Sequence, residues 1–330
     1  MSPNKKIVIT DHVFDDTLLE ERAAAALGVD LVCAQTKDAA RLATAVADAD
    51  AVITQFAPIN ADVIAAMSRA RVIIRYGIGV DNVDLAAARN RGIPVCNIPD
   101  YCIDEVADHA VAFILSLTRQ VVPQDREIHK GRWRLVAPPL SFGVLSSLTA
   151  GVIGFGRIGR AVVRRLVAFG GRVLVTDPFA EPQMIRAAGA EGVTIRKLMR
   201  ASDVITLHCP SLPETKGLID SSRLAEAKRG LLVVNVSRGD LVDTDALIEA
   251  LDAGRVAGAA LDVFSTEPIP EGHPILKRSN VILSPHVASV SAAAVQRLRT
   301  SVIDLALTAI RGGQLRSIVN DVSAARAADL

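Results

Sequence analysis

Short apolar runs alternate along the chain with longer segments in which apolar residues recur at helical spacing. The runs are four to eight residues long and apolar on both faces, as parallel strands covered by helices require. Strands that alternate with helices in this way predict an α/β fold of doubly wound parallel sheets. The predicted strands are 6–10, 51–54, 72–76, 93–98, 151–154, 172–176, 203–208, 231–236, 256–263 and 281–284.

A glycine-rich turn in the middle of the chain indicates two domains. The length of 330 residues is about twice that of a usual single domain. A Rossmann unit opens with its glycine fingerprint, yet Gly154 is preceded by about 100 residues of separate α/β pattern. We therefore predict a Rossmann cofactor domain over 104–289 and a discontinuous substrate domain over 1–103 and 290–330, with a cleft between them. The helix at 292–311 is expected to return to the first domain.

The sequence GVIGFGRIG at 151–159 has the spacing of a dinucleotide-binding fingerprint. It follows a predicted strand and opens a predicted helix at 160–169. Gly154 permits a tight turn, Gly156 lets the backbone approach a pyrophosphate, and Gly159 lets the helix pack closely on the strand. Free N–H groups at the start of the helix then bind the phosphates. The predicted cofactor-binding residues of this turn are Gly154, Gly156, Arg157, Ile158 and Gly159.

Asp177 ends the strand that follows the fingerprint helix and makes NAD the predicted cofactor. Its carboxylate would accept hydrogen bonds from the adenosine ribose and repel the 2′-phosphate of NADP. Arg157 weakens this preference slightly, because its guanidinium could reach phosphate oxygens of either cofactor. The alternative is a purely structural βαβ turn with an exposed aspartate, which the complete strand–turn–helix–strand–acid context disfavours.

Three ionisable residues follow predicted strands in the second half: Arg238, Glu267 and His286. The carboxyl ends of parallel strands meet at one edge of a sheet, so we expect these side chains to converge. Hydride transfer to a keto acid needs a cation for the carboxylate and an acid for the carbonyl oxygen. Arginine binds carboxylates through two hydrogen bonds, histidine titrates near neutral pH, and a neighbouring glutamate favours the imidazolium. Together the three residues predict a dehydrogenase that interconverts 2-keto and 2-hydroxy acids.

Composition argues against several other classes of protein. A formal charge of +1 and an aromatic content of 3% give no basis for binding nucleic acid or an anionic membrane. Four cysteines form no CxxC pair, six histidines lack metal-ligand spacing, and GxSxG does not occur. The histidine spacing therefore gives no reason to expect a metal. The apolar N-terminal run is too short for a signal peptide, so a cytoplasmic location is expected. The last residues, 324–330, are expected to be a frayed helical end.

Five motifs make the chain resemble the D-isomer-specific 2-hydroxyacid dehydrogenases over nearly its whole length. They are RYGIGVDNVD at 75–84, GFGRIGR at 154–160, NVSRGDLVD at 235–243, ALDVFSTEP at 260–268 and SPHVAS at 284–289. The resemblance implies a flavodoxin-like substrate domain beside the Rossmann domain and D stereospecificity. It also implies a homodimer, with the helix that begins near Asp104 at the interface.

The resemblance further implies roles for individual residues. His286 would be the acid/base, Glu267 its partner, and Arg238 the anchor of the substrate carboxylate and carbonyl. Backbone N–H groups around Gly77–Gly79, in the loop after the third predicted strand, would hold the substrate carboxylate. The substrate-binding residues of this loop are Arg75, Tyr76, Gly77, Ile78 and Gly79. Further cofactor-binding residues, near the nicotinamide carboxamide or along the cofactor cleft, are His208, Pro210, Thr215, Val236 and Asp262.

Within the family, Arg75 and the stretch 97–102 resemble more loosely the branch that contains the C-terminal-binding proteins. That branch carries a tryptophan shortly after the catalytic histidine, whereas VASVS follows His286 here, so no aromatic-lined pocket is expected. The segment LSFGVLSSLT at 140–149 lacks the family's basic or glycine-containing approach to the fingerprint and is expected to be a surface loop. Trp133 matches a family feature and is expected to pack rather than to contact substrate.

Two questions stay open at the level of sequence. The branch resemblance keeps an NAD-sensing co-regulator or scaffold as the alternative to an enzyme, although the intact Arg–Glu–His set and the absence of an appended tail argue against it. The substrate is not defined: glyoxylate, hydroxypyruvate, branched keto acids and sugar-derived acids all fit, and phosphoglycerate is not excluded. Formate is disfavoured, since formate dehydrogenases on this fold have glutamine where Glu267 stands.

Overall fold

The computed structural model describes residues 4–322, and the helical end expected at 324–330 lies outside them. The chain divides into two compact units, Met1–Tyr101 with Ser291–Leu330, and Cys102–Val290. Each unit is an α/β layer structure built on one parallel sheet. Among the described residues, no helix combines the length and the apolar character needed to cross a membrane.

The first segment of the first unit alternates strands and helices. Its elements are β1 Lys6–Ile9, α1 Leu18–Ala25, β2 Asp30–Cys33, α2 Ala39–Val46, β3 Ala51–Thr54, α3 Ala61–Ala66, β4 Val72–Arg75, α4 Leu85–Asn90 and β5 Val95–Cys96. The strand order is β2-β1-β3-β4-β5, with every pairing of these strands parallel. This is the order of flavodoxin-like folds, in which ligands bind outside the carboxyl ends of the strands.

The second unit carries a larger parallel sheet. Its helices are α5 Ile103–Thr118, α6 Val121–His129, α7 Arg157–Ala168, α8 Pro182–Ala187, α9 Ile195–Ala201, α10 Ser221–Glu226 and α11 Thr244–Asp252. Its strands are β6 Thr149–Ile153, β7 Arg172–Thr176, β8 Glu191–Gly192, β9 Val204–Leu207, β10 Leu231–Asn235, β11 Val256–Leu261 and β12 Val281–Leu283. The strand order is β12-β11-β10-β9-β6-β7-β8, which reverses beside β6 as in a Rossmann fold.

The last helix, α12 Ala292–Ile310, belongs to the first unit, where it packs against α1, β3 and β4. Ser291 caps it by accepting a hydrogen bond from the Ala294 amide at 2.9 Å, which satisfies one of the free amides of its first turn. Apart from β2 and β8 at the sheet edges, the strands are mostly buried, as parallel strands covered by helices on both faces must be. The predicted fold of two doubly wound parallel sheets is therefore confirmed.

Candidate active site

The fingerprint turn between β6 and α7 is shaped by close contacts between backbone atoms. Gly154 has φ +97° and donates its amide to the Thr176 carbonyl at 2.9 Å. A Cβ on Gly154 would lie 2.7 Å from the His208 carbonyl, and one on Gly159 would lie 2.1 Å from the Gly154 carbonyl oxygen. Neither position has room for a side chain. The roles predicted for these two glycines, a tight turn and close helix packing, agree with this geometry.

Gly156 differs from its two neighbours, because a Cβ there would meet no atom within 4 Å. It caps α7, so the free amides of the first helical turn begin beside this open backbone. Asp177 stands next to the turn and accepts hydrogen bonds from the Phe155 amide at 2.6 Å and the Phe179 amide at 2.8 Å. Arg157 is exposed and Ile158 is half-buried. An open helix N-terminus beside a carboxylate fits a dinucleotide.

The loop after β9 holds the three residues expected along the cofactor cleft. The His208 Nε2 lies 2.9 Å from the Thr206 hydroxyl, and burial lowers the pKa of His208 to about 3, so this ring is neutral. Thr215 donates its hydroxyl to the Pro210 carbonyl at 2.7 Å and accepts from the Leu212 amide at 2.7 Å. The Thr215 side chain therefore closes the loop on itself, and Pro210 is exposed at its surface.

Arg238 follows β10 in a turn held by side chains of the same strand end. Asn235 donates its amide to the Arg238 carbonyl at 2.8 Å and accepts from the Ser237 amide at 3.1 Å. The Arg238 Nη1 donates to the Ser237 carbonyl at 2.7 Å. A Cβ on Gly239 would lie 1.9 Å from the Phe264 carbonyl carbon. The absence of a side chain at Gly239 thus lets the Arg238 turn pack directly on the segment that leads to Glu267.

Glu267 and His286 form the central pair of the site. The Glu267 Oε2 lies 2.7 Å from the His286 Nδ1, and its Oε1 accepts from the Phe264 amide at 2.9 Å. Burial alone would raise the pKa of Glu267, but the hydrogen bonds from His286 and Phe264 outweigh it, and the Arg238 charge adds to them. The pKa of Glu267 is lowered as a result. An ionised carboxylate only accepts hydrogen bonds, so the His286 Nδ1 carries the proton.

The loop that carries His286 is tied to Asp262, which is fully buried at the end of β11. The Asp262 carboxylate accepts hydrogen bonds from the Val287 amide at 2.9 Å, the Ala288 amide at 2.8 Å and the Ser284 hydroxyl. Its own carbonyl accepts from the His286 amide at 2.8 Å. His286 itself has φ +54°, a left-handed conformation that is costly outside glycine and is kept here by these bonds.

His109 of α5 approaches the same network. Its Nε2 lies 3.3 Å from the Ser284 hydroxyl and 3.9 Å from the Asp262 carboxylate. Val236, the other residue expected near the nicotinamide, is buried directly after β10. The Asp262 carboxylate is thus engaged by the His286 loop, and its expected contact with the nicotinamide stays a prediction.

The predicted substrate loop lies in the first unit, directly after β4. Tyr76 donates its amide to the Thr54 carbonyl at 2.8 Å and accepts the Arg75 Nη1 at its own carbonyl at 2.7 Å. Gly77 has φ +144°, and a Cβ there would lie 1.5 Å from the Arg75 Nη1, so the guanidinium occupies the space beside this glycine. The Tyr76 side chain is buried, whereas Ile78 and Gly79 are half-buried. Contacts of Tyr76 with a ligand would therefore come from its backbone.

Within the second unit, the structure brings together the Arg238 turn, Glu267, His286 and the loop after β9. The Ser237 hydroxyl donates to the Cys209 carbonyl at 2.6 Å, which connects the first and the last of these. Sequence reasoning missed the residues that hold them: Asn235, Gly239 and Ser284. All three lie inside the motifs quoted above, but only the folded backbone shows what they contact. Among the described residues, no group of three or more His, Cys, Asp or Glu side chains could hold a metal ion.

Residues 111–288 match the family model described as D-isomer specific 2-hydroxyacid dehydrogenase, NAD binding domain. The chain is 39% identical over 279 residues to the glyoxylate reductase of Korarchaeum cryptofilum, covering 83% of this chain and 84% of that one. It is 37% identical over 305 residues to the D-3-phosphoglycerate dehydrogenase of Mycobacterium leprae, covering 92% of this chain and 57% of that one.

A D-lactate dehydrogenase structure from Aquifex aeolicus, complexed with NAD and lactic acid, superposes with a TM-score of 0.84. It is 27% identical, and the match covers 93% of this chain and 96% of that one. The chain spans only 57% to 58% of the length of the mycobacterial relatives that it matches. The predicted family and the predicted cofactor, NAD, are confirmed by these matches, which give no support to the NAD-sensor alternative.

Proposed function

Because the chain belongs to the D-isomer specific 2-hydroxyacid dehydrogenase family, we propose that it transfers a hydride between NAD(H) and a small 2-keto or 2-hydroxy acid, with D stereospecificity. The observation that carries this proposal is the 2.7 Å contact between Glu267 and His286. The pair follows strands β11 and β12 of the sheet whose β6–α7 turn fits a dinucleotide. Ligands bind outside the carboxyl ends of strands in such sheets.

His286 is the proton donor in reduction and the proton acceptor in oxidation. Glu267 accepts the Nδ1 proton, which fixes the ring and leaves Nε2 as the atom that exchanges a proton with the substrate oxygen. The lowered pKa of Glu267 keeps its carboxylate ionised at neutral pH, so it acts only as the acceptor of the His286 Nδ1 proton. Asp262 and Ser284 hold the loop in the conformation that keeps this pair together.

Arg238 binds the substrate carboxylate and stabilises negative charge on the carbonyl oxygen during reduction. Its turn is held rigid by Asn235 and packs on the Glu267 segment through Gly239. In the first unit, we propose the same carboxylate as the ligand of Arg75 and of the backbone amides of Ile78 and Gly79. The amides of Tyr76 and Gly77 donate to the Thr54 and Arg75 carbonyls, each at 2.8 Å, and shape the loop instead.

The second unit holds the dinucleotide at the start of α7. The backbone at Gly156 and the first turn with Arg157 and Ile158 bind the pyrophosphate, and Asp177 binds the adenosine ribose. When bound, NADH supplies the hydride. His208, Pro210, Thr215, Val236 and Asp262 are proposed to border it. Since the Asp177 carboxylate would repel a 2′-phosphate, we expect NAD to be preferred over NADP.

The test is the loss of NADH absorbance with purified protein and a panel of 2-keto acids, with NADPH in parallel. Glyoxylate belongs in the panel, and D-3-phosphoglycerate with NAD tests the oxidative direction, because two relatives are named for these substrates. Turnover with NADH and at least one acid supports the proposal. NADH binding without turnover of any acid would overturn it in favour of an NAD sensor.

Arg238→Lys provides the matched variant for this assay, because it keeps the charge but loses the planar pair of donors. We expect kcat/KM to fall by about a hundredfold or more, since the arginine serves both binding and the transition state. Turnover within about tenfold of wild type would contradict the role given to Arg238.

A homodimer and a cytoplasmic location, both expected from the sequence, are part of the same proposal.

A further inference from the structure

A buried cluster of three residues, here called the Glu20 cluster, lies in the first unit beside the predicted substrate loop. Glu20 of α1 is fully buried, and its carboxylate receives the Arg299 Nε at 2.9 Å and Nη2 at 2.7 Å from α12. The Tyr76 hydroxyl donates to the same carboxylate at 3.0 Å. Burial raises the pKa of Tyr76, so its hydroxyl stays protonated and acts as the donor.

The surroundings of the cluster restrict it to one arrangement. The Phe14 ring meets the Tyr76 ring edge to face at 5.3 Å, and the Arg299 guanidinium lies 5.2 Å from the Phe14 centroid. Arg299 also donates to the Asp16 carbonyl at 3.0 Å. The hydrogen bonds to Glu20 raise the pKa of Arg299 above its ordinary range. Two segments distant in sequence, residues 14–20 and α12, thus hold one tyrosine side chain in a fixed position.

Stability alone does not account for such a cluster. Two charges taken out of water lose hydration, and apolar residues of similar volume stabilise a core equally well or better. In several proteins a buried charged network specifies one conformation instead of adding stability. The conformation specified here is that of Tyr76, which directly precedes Gly77 in the substrate loop.

The connection to the loop runs through the backbone of Tyr76. Its carbonyl accepts the Arg75 Nη1, and the guanidinium fills the space beside Gly77, whose φ of +144° excludes other residues without strain. A displaced Tyr76 would therefore move both the amides of the loop and the guanidinium of Arg75. We propose that Glu20 and Arg299 are positioning residues that act through Tyr76 to fix the loop 75–79 for a substrate carboxylate. This inference rests on the proposed function of that loop.

Tyr76→Phe is the most conservative test, because it removes one hydroxyl and leaves the Glu20–Arg299 pair and the packing on Phe14. We expect KM for the keto acid to rise by about fivefold, the change that corresponds to the net free energy of one hydrogen bond. The kcat and the NADH affinity should stay within about twofold of wild type. A KM equal to that of wild type would overturn the proposal.

A triple variant, Glu20→Leu with Tyr76→Phe and Arg299→Met, separates positioning from stability. Replacement of the whole network by apolar groups should leave the melting temperature unchanged or raised. KM should nevertheless rise by about tenfold or more, because the loop loses its anchor. A stable triple variant with unchanged KM would contradict the proposal. If the triple variant fails to fold, Tyr76→Phe still decides.

The chain offers a matched control in Asp50, a second buried carboxylate of the same unit. It binds Arg69 at 2.6 Å and Lys5 at 3.2 Å just before β3, at the opposite end of the sheet from the loop. Asp50→Asn should lower the melting temperature and leave KM unchanged. A rise in KM equal to that of Tyr76→Phe would mean that any loss of stability weakens substrate binding, and would overturn the positioning role.

Binding of oxalate, measured by calorimetry on the protein saturated with NADH, separates this inference from the proposed function. If wild type turns over no acid but binds oxalate, and Tyr76→Phe weakens that binding by about fivefold, the proposed activity fails and the positioning role stands. If wild type is active and Tyr76→Phe changes neither KM nor oxalate binding, the activity stands and the positioning role fails. Absence of oxalate binding to an inactive wild type would overturn both.

Discussion

Among single residues, Glu267 has the largest expected influence on the pH dependence of the reaction. Glu267→Gln keeps the shape and one acceptor but removes the negative charge that faces the His286 Nδ1. We expect the kcat of reduction to fall by about a hundredfold. A pH series of kcat/KM measures this loss and shows whether the acid limb, which belongs to Glu267, disappears in the variant.

The lowered pKa of Glu267 places the acid limb of the kcat/KM profile below the ordinary glutamate value of 4.5. The ionised pair is fully present above the ordinary value of 4.5 and is lost as the pH falls through the lower value of the folded protein. Both side chains are 34% exposed, so solvent screens the pair and its share in stability is modest. Glu271 is an exposed glutamate on the same segment, so Glu271→Gln is the control and should leave the pH profile of kcat/KM unchanged. An identical profile for Glu267→Gln would exclude the pairing role.

Asp262 allows a second prediction at the scale of a residue. Asp262→Asn replaces one acceptor oxygen with a donor group facing the Ser284 hydroxyl or the loop amides. We expect the free energy of unfolding to fall by about 2 kcal/mol, as for a buried acceptor that is lost. We expect kcat to fall by about tenfold or more, because the His286 loop loosens, and NADH affinity to fall by less, since Asp262 is also proposed to border the cofactor. Urea unfolding, steady-state kinetics and NADH titration measure the three quantities.

The control for Asp262→Asn is Asp220→Ala, which removes the cap of α10 and costs about 1 kcal/mol without touching the site. It should be destabilised but retain its kcat. A loss of NADH affinity in Asp262→Asn with little change in kcat would instead make contact with the cofactor the main role of this carboxylate.

Among the elements, the central strands were predictable and two edge strands were not. Each predicted run overlaps a strand of the structure, because central parallel strands must be apolar on both faces. β2 is largely exposed and begins with Asp30, and β8 consists of Glu191 and Gly192 alone. Both lie at sheet edges, where a strand has one neighbour and needs little apolar character. Edge position is a property of the assembled sheet and leaves no local pattern.

The turn between β6 and α7 supplies a prediction at the scale of elements. Gly159→Ala would place a Cβ 2.1 Å from the Gly154 carbonyl, so α7 must move away from β6. We expect the free energy of unfolding to fall by about 2–4 kcal/mol. We also expect NADH binding to be lost, because the turn that holds the pyrophosphate is displaced. Gly156→Ala meets no protein atom and should change stability by less than about 1 kcal/mol, yet weaken NADH by about tenfold or more. Chemical unfolding and NADH titration of the two variants provide the comparison.

These two variants control each other, because they add the same methyl group three residues apart in one turn. Equal loss of stability in both would show that the turn tolerates no side chain, and would remove the evidence for an open approach at Gly156. Unchanged NADH affinity in Gly156→Ala would place the pyrophosphate elsewhere.

At the scale of the whole molecule, sequence reasoning reached the reacting groups but not the contacts that hold them. Arg238, Glu267 and His286 each follow a predicted strand. Because the carboxyl ends of parallel strands lie at one edge of a sheet, the sequence predicted that these residues lie close together. Glu20 and Arg299 are 279 positions apart, and neither lies in a recognisable motif. Asp11 similarly accepts three backbone amides at 55–57, more than forty positions away. Such pairings are decided by tertiary packing, which a single sequence does not encode locally.

The last prediction concerns assembly and follows from Trp133. This side chain was expected to pack, but it is 92% exposed in the single chain. Other large apolar residues on α6 and its following segment are also exposed: Val121, Ile128 and Leu135. Exposed apolar surface of this kind marks protein interfaces, and a second copy of the chain is the occupant implied by the family resemblance. We expect sedimentation to give about 70 kDa, twice the 34.9 kDa of the chain.

Trp133 is the only tryptophan of the chain, so its fluorescence reports directly on this surface. In a dimer that covers it, emission should be blue-shifted at high concentration and shift to the red on dilution. Trp133→Ser should weaken dimerisation by about 2–4 kcal/mol, as loss of an interface tryptophan does. Leu27→Ser, at an exposed leucine of the first unit, should leave it unchanged. A monomer at all concentrations, with emission typical of exposed tryptophan, would contradict the homodimer and leave the apolar surface of α6 to another partner.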